Sequence, residues 1–298
     1  MHNKNIQKLI TQLALPAEYT NYVSLYLEPI ANAIDKQIYQ GSIPVIGING
    51  SQGSGKSTAA LFLQALLESK AAHHIAVLSI DDFYRTKAER NHLAQMIHPL
   101  FVTRGVPGTH DVELALNTIT ALKQAQPGEA VYLPRFDKAC DDRKPPSQWD
   151  VVYGPVSAVI LEGWCIGAPP LDQGSLDDPI NALERNEDQN GLWRKAYSRF
   201  LVSEYQALFE SIDWLLMLKA PCFEVVLGWR LLQENKLAQA VAGIGSGLLN
   251  EVQCKRFIEH YQRLTEHCLL TIPAFADAVI GLDDQHRMID LRLKADNG

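Results

Sequence analysis

Several features that define other classes of protein are missing from this chain. Its 298 residues include only five cysteines, an odd number, and no C-x-x-C pair. This usage is typical of reduced thiols in a cytosolic protein and disfavours a disulfide framework or a zinc site. No apolar run approaches the roughly 18 residues of a membrane span. The first ten residues, MHNKNIQKLI, lack both a signal-peptide core and a transit-peptide composition. We therefore expect a cytoplasmic protein that does not enter membranes.

Basic charge is also scarce. The chain has 27 Lys and Arg against 34 Asp and Glu, which gives a net charge of -7. An acidic chain without a basic block disfavours nonspecific binding to nucleic acid. With 47% hydrophobic and 20% charged residues, the composition is that of an ordinary globular protein. We expect residues 1–298 to form one domain, and the oligomeric state stays open.

What the chain does contain is a phosphate-binding loop. The run PVIGINGSQGSGKST at 44–58 matches G-x-x-x-x-G-K-[ST] and stands between a β-branched apolar run and a helical pattern. Glycine lets the backbone curl with its N–H groups inward, and the helix that follows directs its positive end at bound phosphates. This strand–loop–helix context favours nucleotide binding over a merely flexible turn. The expected phosphate contacts are Gly50, Ser51, Gly53, Ser54, Gly55, Lys56, Ser57 and Thr58. Of these, Lys56 would reach the β- and γ-phosphates, and the hydroxyl of Ser57 would hold Mg²⁺.

The pattern of apolar runs predicts an α/β protein. Five runs, at 45–49, 75–80, 156–161, 214–218 and 278–282, alternate with helical segments. Continuous apolar strands separated by helices indicate a parallel sheet of about five strands with helices on both faces.

The segments outside these runs also have expected structures. Residues 1–42 read as a helical extension, and the acidic segment 170–191 as a solvated loop. Residues 251–269 read as one helix with Asn250 as its cap. The buried stripe of that helix is expected to be Val252, Phe257, Tyr261, Leu264 and Cys268.

Two acids follow predicted strands. Asp81 comes after the second run and Glu162 ends the run AVILE, so both are expected at the edge that also carries Gly50. There, Asp81 can orient or deprotonate an acceptor hydroxyl, and Glu162 can reach Mg²⁺. Each also has an ordinary alternative, which is a helix cap or surface acid for Asp81 and a satisfied acid at the sheet edge for Glu162.

Three further segments carry weaker signals. Arg104 and His110 lie in the turn-rich run TRGVPGTHD, and Arg135 lies in LPRFDK. An arginine can bind a carboxylate or phosphate through two parallel hydrogen bonds, whereas His110 beside Asp111 is more typical of a structural pair. Arg230 lies on a predicted helix that leads into a glycine-rich stretch at 243–247, so residues 221–250 suit a lid. A surface arginine is the alternative for Arg230.

The order of these blocks resembles a known family. The chain is similar, from about residue 44 onward, to the plant-type D-glycerate 3-kinases within the phosphoribulokinase, uridine kinase and pantothenate kinase group of P-loop kinases. The resemblance rests on GINGSQGSGKST, LSIDDFYRT, RGVPGTHD, LPRFDKACDDRKPP, VILEGW and APCFEVVLGWRLLQENKL. It implies a P-loop fold with a helical lid, ATP and Mg²⁺ as cofactors, Asp81 as the catalytic acid, Glu162 as the acid on the metal side and Arg230 as a lid arginine.

These observations predict an ATP-dependent kinase with a small hydroxyl acceptor, D-glycerate first. Candidate acceptor ligands are Asp81, Tyr84, Arg104, His110 and Arg135, and the metal ligands are expected among Ser57, Asp81 and Glu162. A nucleoside, pantothenate or a sugar phosphate is the alternative acceptor, since Tyr84 and Phe136 are aromatic. A protein that binds ATP without transfer is another alternative. A GTP-dependent switch is disfavoured because the string NKLA at 235–238 lacks the aspartate of the guanine-reading N-K-x-D motif.

Overall fold

A six-stranded sheet forms the centre of the part of the chain that the structure describes. The computed structural model describes residues 2–39, 41–70, 73–240 and 251–294. Its strands are β1 (Val45–Gly50), β2 (Ile75–Ser79), β3 (Ala130–Leu133), β4 (Phe136–Asp137), β5 (Asp142–Arg143), β6 (Asp150–Tyr153), β7 (Ala158–Gly163), β8 (Trp214–Lys219), β9 (Ala278–Leu282) and β10 (Met288–Leu293). Its α-helices are α1 (His2–Gln12), α2 (Tyr19–Tyr22), α3 (Glu28–Ile38), α4 (Lys56–Lys70), α5 (Lys87–Met96), α6 (Val112–Gln124), α7 (Ala182–Glu187), α8 (Leu192–Phe200), α9 (Gln206–Glu210), α10 (Phe223–Ala240), α11 (Glu251–Glu259) and α12 (Gln262–Thr271).

The central sheet has the strand order β10-β9-β8-β1-β7-β2. All neighbouring pairs are parallel except β9 and β10, which form an antiparallel hairpin. β1 lies between β7 and β8, and its Ile48 stands opposite Glu162. The carboxyl ends of β1, β2 and β7 therefore meet at one edge, where ligands of such sheets bind.

Alternation along the strands divides the core into two layers. Val45 packs into the layer that contains α6, α8 and α12, whereas Ile46 and Ile48 pack into the layer formed by α1, α3, α4 and α10. Successive side chains of a strand point to opposite faces, so a strand covered on both faces must be apolar at every position. The burial of every residue of β1 and β7 confirms the predicted α/β sheet.

Three strand features were not predicted. The sixth strand, β10, alternates polar and apolar residues at the sheet edge and is mostly exposed. β3 pairs with β6, and β4 pairs with β5, in two short antiparallel ribbons outside the central sheet. β4 and β5 are two residues long, which is too short for a period of two to be recognised.

The prediction of a solvated loop at 170–191 is correct only in part, because four of its acids are exposed and two are buried. This segment contains α7, and its Glu184 and Asp188 are 1% and 2% exposed. Glu184 receives a hydrogen bond from Arg263 at 2.9 Å, and Asp188 from Arg194 at 3.0 Å. Buried carboxylates are tolerated when they are paired in this way, and the paired arginines lie elsewhere in the sequence.

The predicted single helix at 251–269 is two helices. α11 and α12 are separated at His260 and Tyr261, and Val252 is 78% exposed, so it does not belong to the buried stripe. Tyr261, Leu264 and Cys268 are buried as expected, and Phe257 is half-buried. The predicted cap, Asn250, lies outside the described residues.

The amino-terminal segment is helical, as predicted, through α1, α2 and α3, with a turn between α1 and α2. A π-helical turn at Val23–Leu27 joins α2 to α3. Among the described residues, none of the helices combines the length and the apolar character required to cross a bilayer.

Candidate active site

The predicted phosphate-binding loop connects β1 to α4. Gly53 and Gly55 have φ angles of +80° and +87°, a region that glycine adopts without strain. A Cβ at Gly50 would lie 2.4 Å from the hydroxyl oxygen of Ser54. The hydroxyls of Ser51 and Ser54 are buried without a hydrogen-bond partner. The loop is thus held in a tight curl that ends where α4 begins at Lys56, as the motif requires.

Ser57 and Glu162 meet beside this loop. The hydroxyl of Ser57, in the first turn of α4, donates to Glu162 Oε1 at 2.8 Å. Glu162 is 5% exposed, and its other oxygen, Oε2, is buried without a partner. Two neighbouring oxygen ligands with an unused carboxylate oxygen suit a hard cation such as Mg²⁺, which takes few ligands from a protein and keeps several waters. Thr58, which follows the motif directly, is half-buried.

Asp81 lies in the turn Ile80–Phe83 that follows β2. Its Oδ2 receives a hydrogen bond from Lys138 Nζ at 2.8 Å, and its Oδ1 receives one from the Tyr84 hydroxyl at 3.0 Å. Burial raises the pKa of this carboxyl, but the charges of Lys138 and Lys56 outweigh burial and lower the pKa to about 2. Asp81 is therefore an anion across the physiological pH range.

The charge of Lys56 acts between the phosphate-binding loop and Asp81 at this edge of the sheet. Lys56 is the lysine of the phosphate-binding loop, and it is near enough to Asp81 to lower the pKa of that carboxyl. Asp81 thus lies in the field of the group that would hold the β- and γ-phosphates. This proximity is what an acid that acts on an acceptor hydroxyl requires.

Tyr84 and His110 are packed beneath Asp81. Their rings stack at 4.4 Å, they are 3% and 0% exposed, and the Tyr205 hydroxyl lies 2.5 Å from His110 Nδ1. Burial lowers the pKa of His110 to about 3, so the imidazole is neutral. His110 is thus a buried packing group whose Nδ1 has a protein partner, and its role as an acceptor ligand stays a prediction.

Arg104 and Arg135 both engage aspartates. Arg104 forms an ion pair with Asp141, and its guanidinium lies 5.4 Å from the centre of the Phe136 ring. Arg135 bonds to Asp82 at 2.6 Å and to Asp150 at 2.8 Å. Arg135 thus pairs with the residue next to Asp81, and Arg104 lies over Phe136, whose ring packs on Tyr84. Each arginine already has a carboxylate partner.

The hairpin of β4 and β5, residues 136–143, covers this region. It is held by Arg90, a buried arginine on α5 that donates to the carbonyl of Asp141 at 2.6 Å and pairs with its side chain at 3.0 Å. Arg143 donates to the carbonyl of Tyr84 at 3.0 Å. The sequence places Lys138 in the cation-rich run LPRFDK without giving it a role, and it singles out neither Arg90 nor Arg143. For Lys138, the signal was the run RFDK, whose lysine follows directly after a two-residue strand. Arg90 has no comparable signal, because a buried arginine in a polar helix reads as a surface residue.

Arg230 lies on α10 after β8, as predicted. Its guanidinium is 5.4 Å from the centre of the Phe257 ring, and its charge acts on Tyr261. Tyr261 in turn donates to the carbonyl of Arg104 at 3.0 Å. Arg230 thus faces the same region as Arg104. The glycine-rich stretch at 243–247 lies outside the described residues, so the lid stays a prediction.

Trp229 connects α10 to the phosphate-binding loop. An added Cβ at Gly53 would lie 3.0 Å from Trp229 Cβ. The indole stacks on His286 at 4.2 Å and donates to the carbonyl of Asp284 at 2.8 Å, both in the β9–β10 turn. The β9–β10 hairpin, which was not predicted, therefore supports α10, and α10 in turn packs against the phosphate-binding loop.

Known proteins with similar sequences include a kinase and a D-glycerate 3-kinase. The chain is 34% identical over 250 residues to the Schizosaccharomyces pombe protein named uncharacterized kinase mug58. This match covers 80% of this chain and 86% of the Schizosaccharomyces pombe protein. It is 28% identical over 255 residues to the chloroplastic D-glycerate 3-kinase of Arabidopsis thaliana. That match covers 83% of this chain and 52% of the Arabidopsis protein, about half of its length. No profile of a known protein family matches the chain.

The fold also has a close counterpart among solved structures. The structure of D-glycerate 3-kinase from Cryptococcus neoformans superposes with a TM-score of 0.73 at 21% identity, covering 90% of this chain and 99% of that one. At this identity the match establishes a shared fold. Together with the 34% identity over most of the fission-yeast kinase, these findings confirm the predicted resemblance. The chain belongs to the family of ATP-dependent P-loop kinases that includes the D-glycerate 3-kinases.

Proposed function

We propose that this kinase transfers the γ-phosphoryl group of ATP to the terminal hydroxyl of D-glycerate and forms 3-phosphoglycerate. The observation that carries the proposal is the arrangement at the sheet edge. There, the ammonium of Lys138 lies 2.8 Å from Asp81, the charge of Lys56 also acts on this carboxylate, and the aromatic ring bonded to it, Tyr84, is buried. An anionic, three-carbon acceptor matches such a site.

The roles of the residues follow from phosphoryl-transfer chemistry. Lys56 and the backbone of 50–58 hold the phosphates and stabilise the charge that develops on them. Asp81 orients the acceptor hydroxyl and takes its proton as the new O–P bond forms and the bond to ADP breaks. Since a carboxylate with a pKa of about 2 is a weak base, orientation is its main contribution, and a late proton transfer suits the loose transition state of this reaction.

Ser57 and Glu162 are the proposed magnesium ligands, and Asp81 is a third candidate. When bound, Mg²⁺ neutralises phosphate charge during transfer. Its proposed ligands are oxygen atoms only, in agreement with the preference of this cation. Across the residues that the structure describes, His, Cys, Asp and Glu form no group of three or more that suits another metal centre. Arg230 is proposed to reach the transferring group from α10.

The aromatic residues argue against a nucleoside acceptor. Tyr84 is 3% exposed with its hydroxyl on Asp81, and Phe136 is 8% exposed beneath the guanidinium groups of Arg90 and Arg104. A base needs an open ring face for stacking, and neither ring offers one. This burial supports a small charged acceptor over uridine.

A single-turnover panel tests the proposal. The purified chain is mixed with γ-labelled ATP, Mg²⁺ and one acceptor at a time: D-glycerate, uridine, pantothenate, a sugar phosphate or none. We expect label in 3-phosphoglycerate. Label in another acceptor would make the glycerate assignment wrong while the kinase assignment stands. ATP binding without transfer to any of them would support a non-catalytic nucleotide-binding protein.

A further inference from the structure

The basic residues in and around the acceptor region differ in how firmly they are bound to carboxylates of the protein itself. The arginines of residues 81–143 share one property, which is that each bonds to a carboxylate of this chain. Their partners are Glu204 for Arg85, Asp141 for Arg90 and Arg104, Asp82 and Asp150 for Arg135, and Asp111 for Arg143. An arginine that gives up such a partner leaves an uncompensated carboxylate in the protein. These groups are better suited to hold the loops together than to capture a ligand.

Lys138 differs from these arginines. Its Nζ lies 2.8 Å from Asp81 Oδ2, and its side chain is 63% exposed against 28% for Asp81. A lysine head group is a compact charge on a flexible four-carbon stem, so it can move without moving the backbone. Its carboxylate partner is also the acid that the proposed acceptor would engage.

The backbone beneath Lys138 is fixed. Asp137 Oδ1 receives hydrogen bonds from the amides of Ala139 and Cys140 at 2.9 and 3.2 Å. On the far side of the turn, Arg90 donates to the carbonyl of Asp141, and the amide of Lys144 donates to the carbonyl of Arg135 at 2.8 Å. The hairpin therefore presents a mobile cation from an anchored loop.

A hydroxy acid brings a second negative charge to this place. Suppose that the terminal hydroxyl of a three-carbon acid donates to Asp81. A single carbon then separates the carbon that carries this hydroxyl from the carboxylate carbon. Two carboxylates this close repel each other unless a cation lies between them. The ammonium of Lys138 is already next to Asp81 and accessible to the ligand.

We propose that Lys138 selects an anionic acceptor, because its ammonium group binds the carboxylate of a small hydroxy acid while Asp81 engages the hydroxyl. This inference rests on the proposed function and adds the residue that distinguishes D-glycerate from a neutral alcohol of the same size. Lys138 is a substrate-binding residue in this assignment, and Asp81 keeps its role toward the hydroxyl.

The test compares a charged acceptor with a neutral one. kcat and KM are measured for D-glycerate and for glycerol in the wild type, Lys138→Met and Lys138→Arg. Loss of one charge-assisted hydrogen bond predicts a fall of about 10- to 150-fold in kcat/KM for D-glycerate in Lys138→Met, mostly through KM. The value for glycerol should fall much less, through the lost contact with Asp81 alone, and Lys138→Arg should keep part of the preference.

Lys195→Met is the matched control. On α8, Lys195 Nζ lies 2.8 Å from Oδ1 of the exposed Asp177, which precedes α7, so this variant removes a similar ion pair outside the site. It should behave as the wild type toward both acceptors. Binding of each acceptor to the wild type and Lys138→Met, measured calorimetrically with a non-hydrolysable ATP analogue, gives the same comparison without turnover.

Different outcomes overturn different assignments. An equal loss for D-glycerate and glycerol in Lys138→Met would mean that Lys138 acts only on Asp81, which overturns this inference and leaves the proposed function intact. An unchanged preference for D-glycerate in Lys138→Met has the same consequence. A wild type that prefers glycerol, or that neither binds nor phosphorylates D-glycerate, overturns the proposed acceptor and this inference together.

Discussion

The two sides of the candidate site are built in different ways. The nucleotide side, residues 50–58 with Glu162, comes almost entirely from one continuous stretch and relies on backbone curvature. The acceptor side comprises Asp81, Tyr84, Arg104, Arg135 and the hairpin 136–143, and it relies on ion pairs between distant segments. A polyphosphate can be recognised by backbone N–H groups at a helix start, which many sequences can supply. A small acid needs charged side chains at defined positions, so the specificity of the enzyme should lie in the acceptor side.

The largest effect is expected on the nucleotide side. Lys56→Ala should reduce turnover by about 10³-fold or more, because it removes a charge that stabilises the transferring phosphoryl group. Lys56 is only half-buried at the start of α4, so the thermal unfolding temperature should change little. Steady-state kinetics and a thermal melt check this prediction. A folded variant with near wild-type turnover would contradict the assignment of the loop.

The next effect separates the two acids. Asp81→Asn should lower kcat by about 10²- to 10⁴-fold with little change in KM for ATP, because a neutral amide orients the acceptor hydroxyl less strongly and cannot take its proton. Glu162→Gln should instead raise the Mg²⁺ concentration needed for half-maximal activity. Magnesium titrations of kcat in both variants compare the two roles. If Asp81→Asn shifts the magnesium requirement and Glu162→Gln does not, the roles are reversed.

A smaller effect tests whether the acceptor side acts as a unit. Arg104→Ala should lower kcat/KM for D-glycerate by about 10- to 150-fold and leave KM for ATP unchanged, since it removes the ion pair with Asp141 that helps to hold the hairpin carrying Lys138. The double variant Arg104→Ala with Asp141→Asn distinguishes two reasons for the loss. Recovery in the double variant would mean that Arg104 serves to neutralise Asp141. A persistent loss would support direct binding of the acceptor carboxylate.

Arg135 offers a parallel comparison with the same assay. Arg135→Ala leaves Asp82 and Asp150 without their shared arginine, so its effect should also fall on D-glycerate and not on ATP. An equal loss of affinity for both substrates, in either arginine variant, would contradict the division into two sides.

The smallest effect concerns pH and the buried His110. Its pKa falls from 6.5 to about 3 on folding because burial disfavours the charged ring. The unfolded chain therefore binds the proton first as pH falls, and stability decreases from about pH 6.5 downward, by about 2 kcal/mol between pH 7 and pH 5. Urea unfolding at these two pH values should show that His110→Asn loses about 2 kcal/mol less than the wild type.

His260 provides the control for this measurement. Burial lowers its pKa to about 4, and it packs against Trp193 and Phe257. His260→Asn should reduce the pH dependence of stability in a similar way, but only His110→Asn should raise KM for the acceptor. An unchanged pH dependence in His110→Asn would mean that the ring is protonated in the folded protein.

The sequence alone was enough for the elements whose signal is local. A few consecutive residues are enough to recognise each of these features. They are the apolar runs of β1, β2, β7, β8 and β9, the glycine spacing at 50–58 and the acids at 81 and 162. Full burial on both faces of a parallel sheet forces an unbroken apolar strand, and a phosphate-binding curl forces glycine. Both requirements fall on consecutive residues, so the sequence alone is enough to recognise them.

Only the tertiary structure decided which charges are partners. Glu184 with Arg263, Asp141 with Arg90 and Arg104, and Asp81 with Lys138 are pairs separated by 37 to 79 positions in the chain. The sequence does not distinguish a buried or paired charged residue from a solvated one. The partner that compensates its burial is brought near only by folding. For that reason the sequence predicts a solvated loop at 170–191, where Glu184 and Asp188 are buried, and does not identify Lys138 as the neighbour of Asp81.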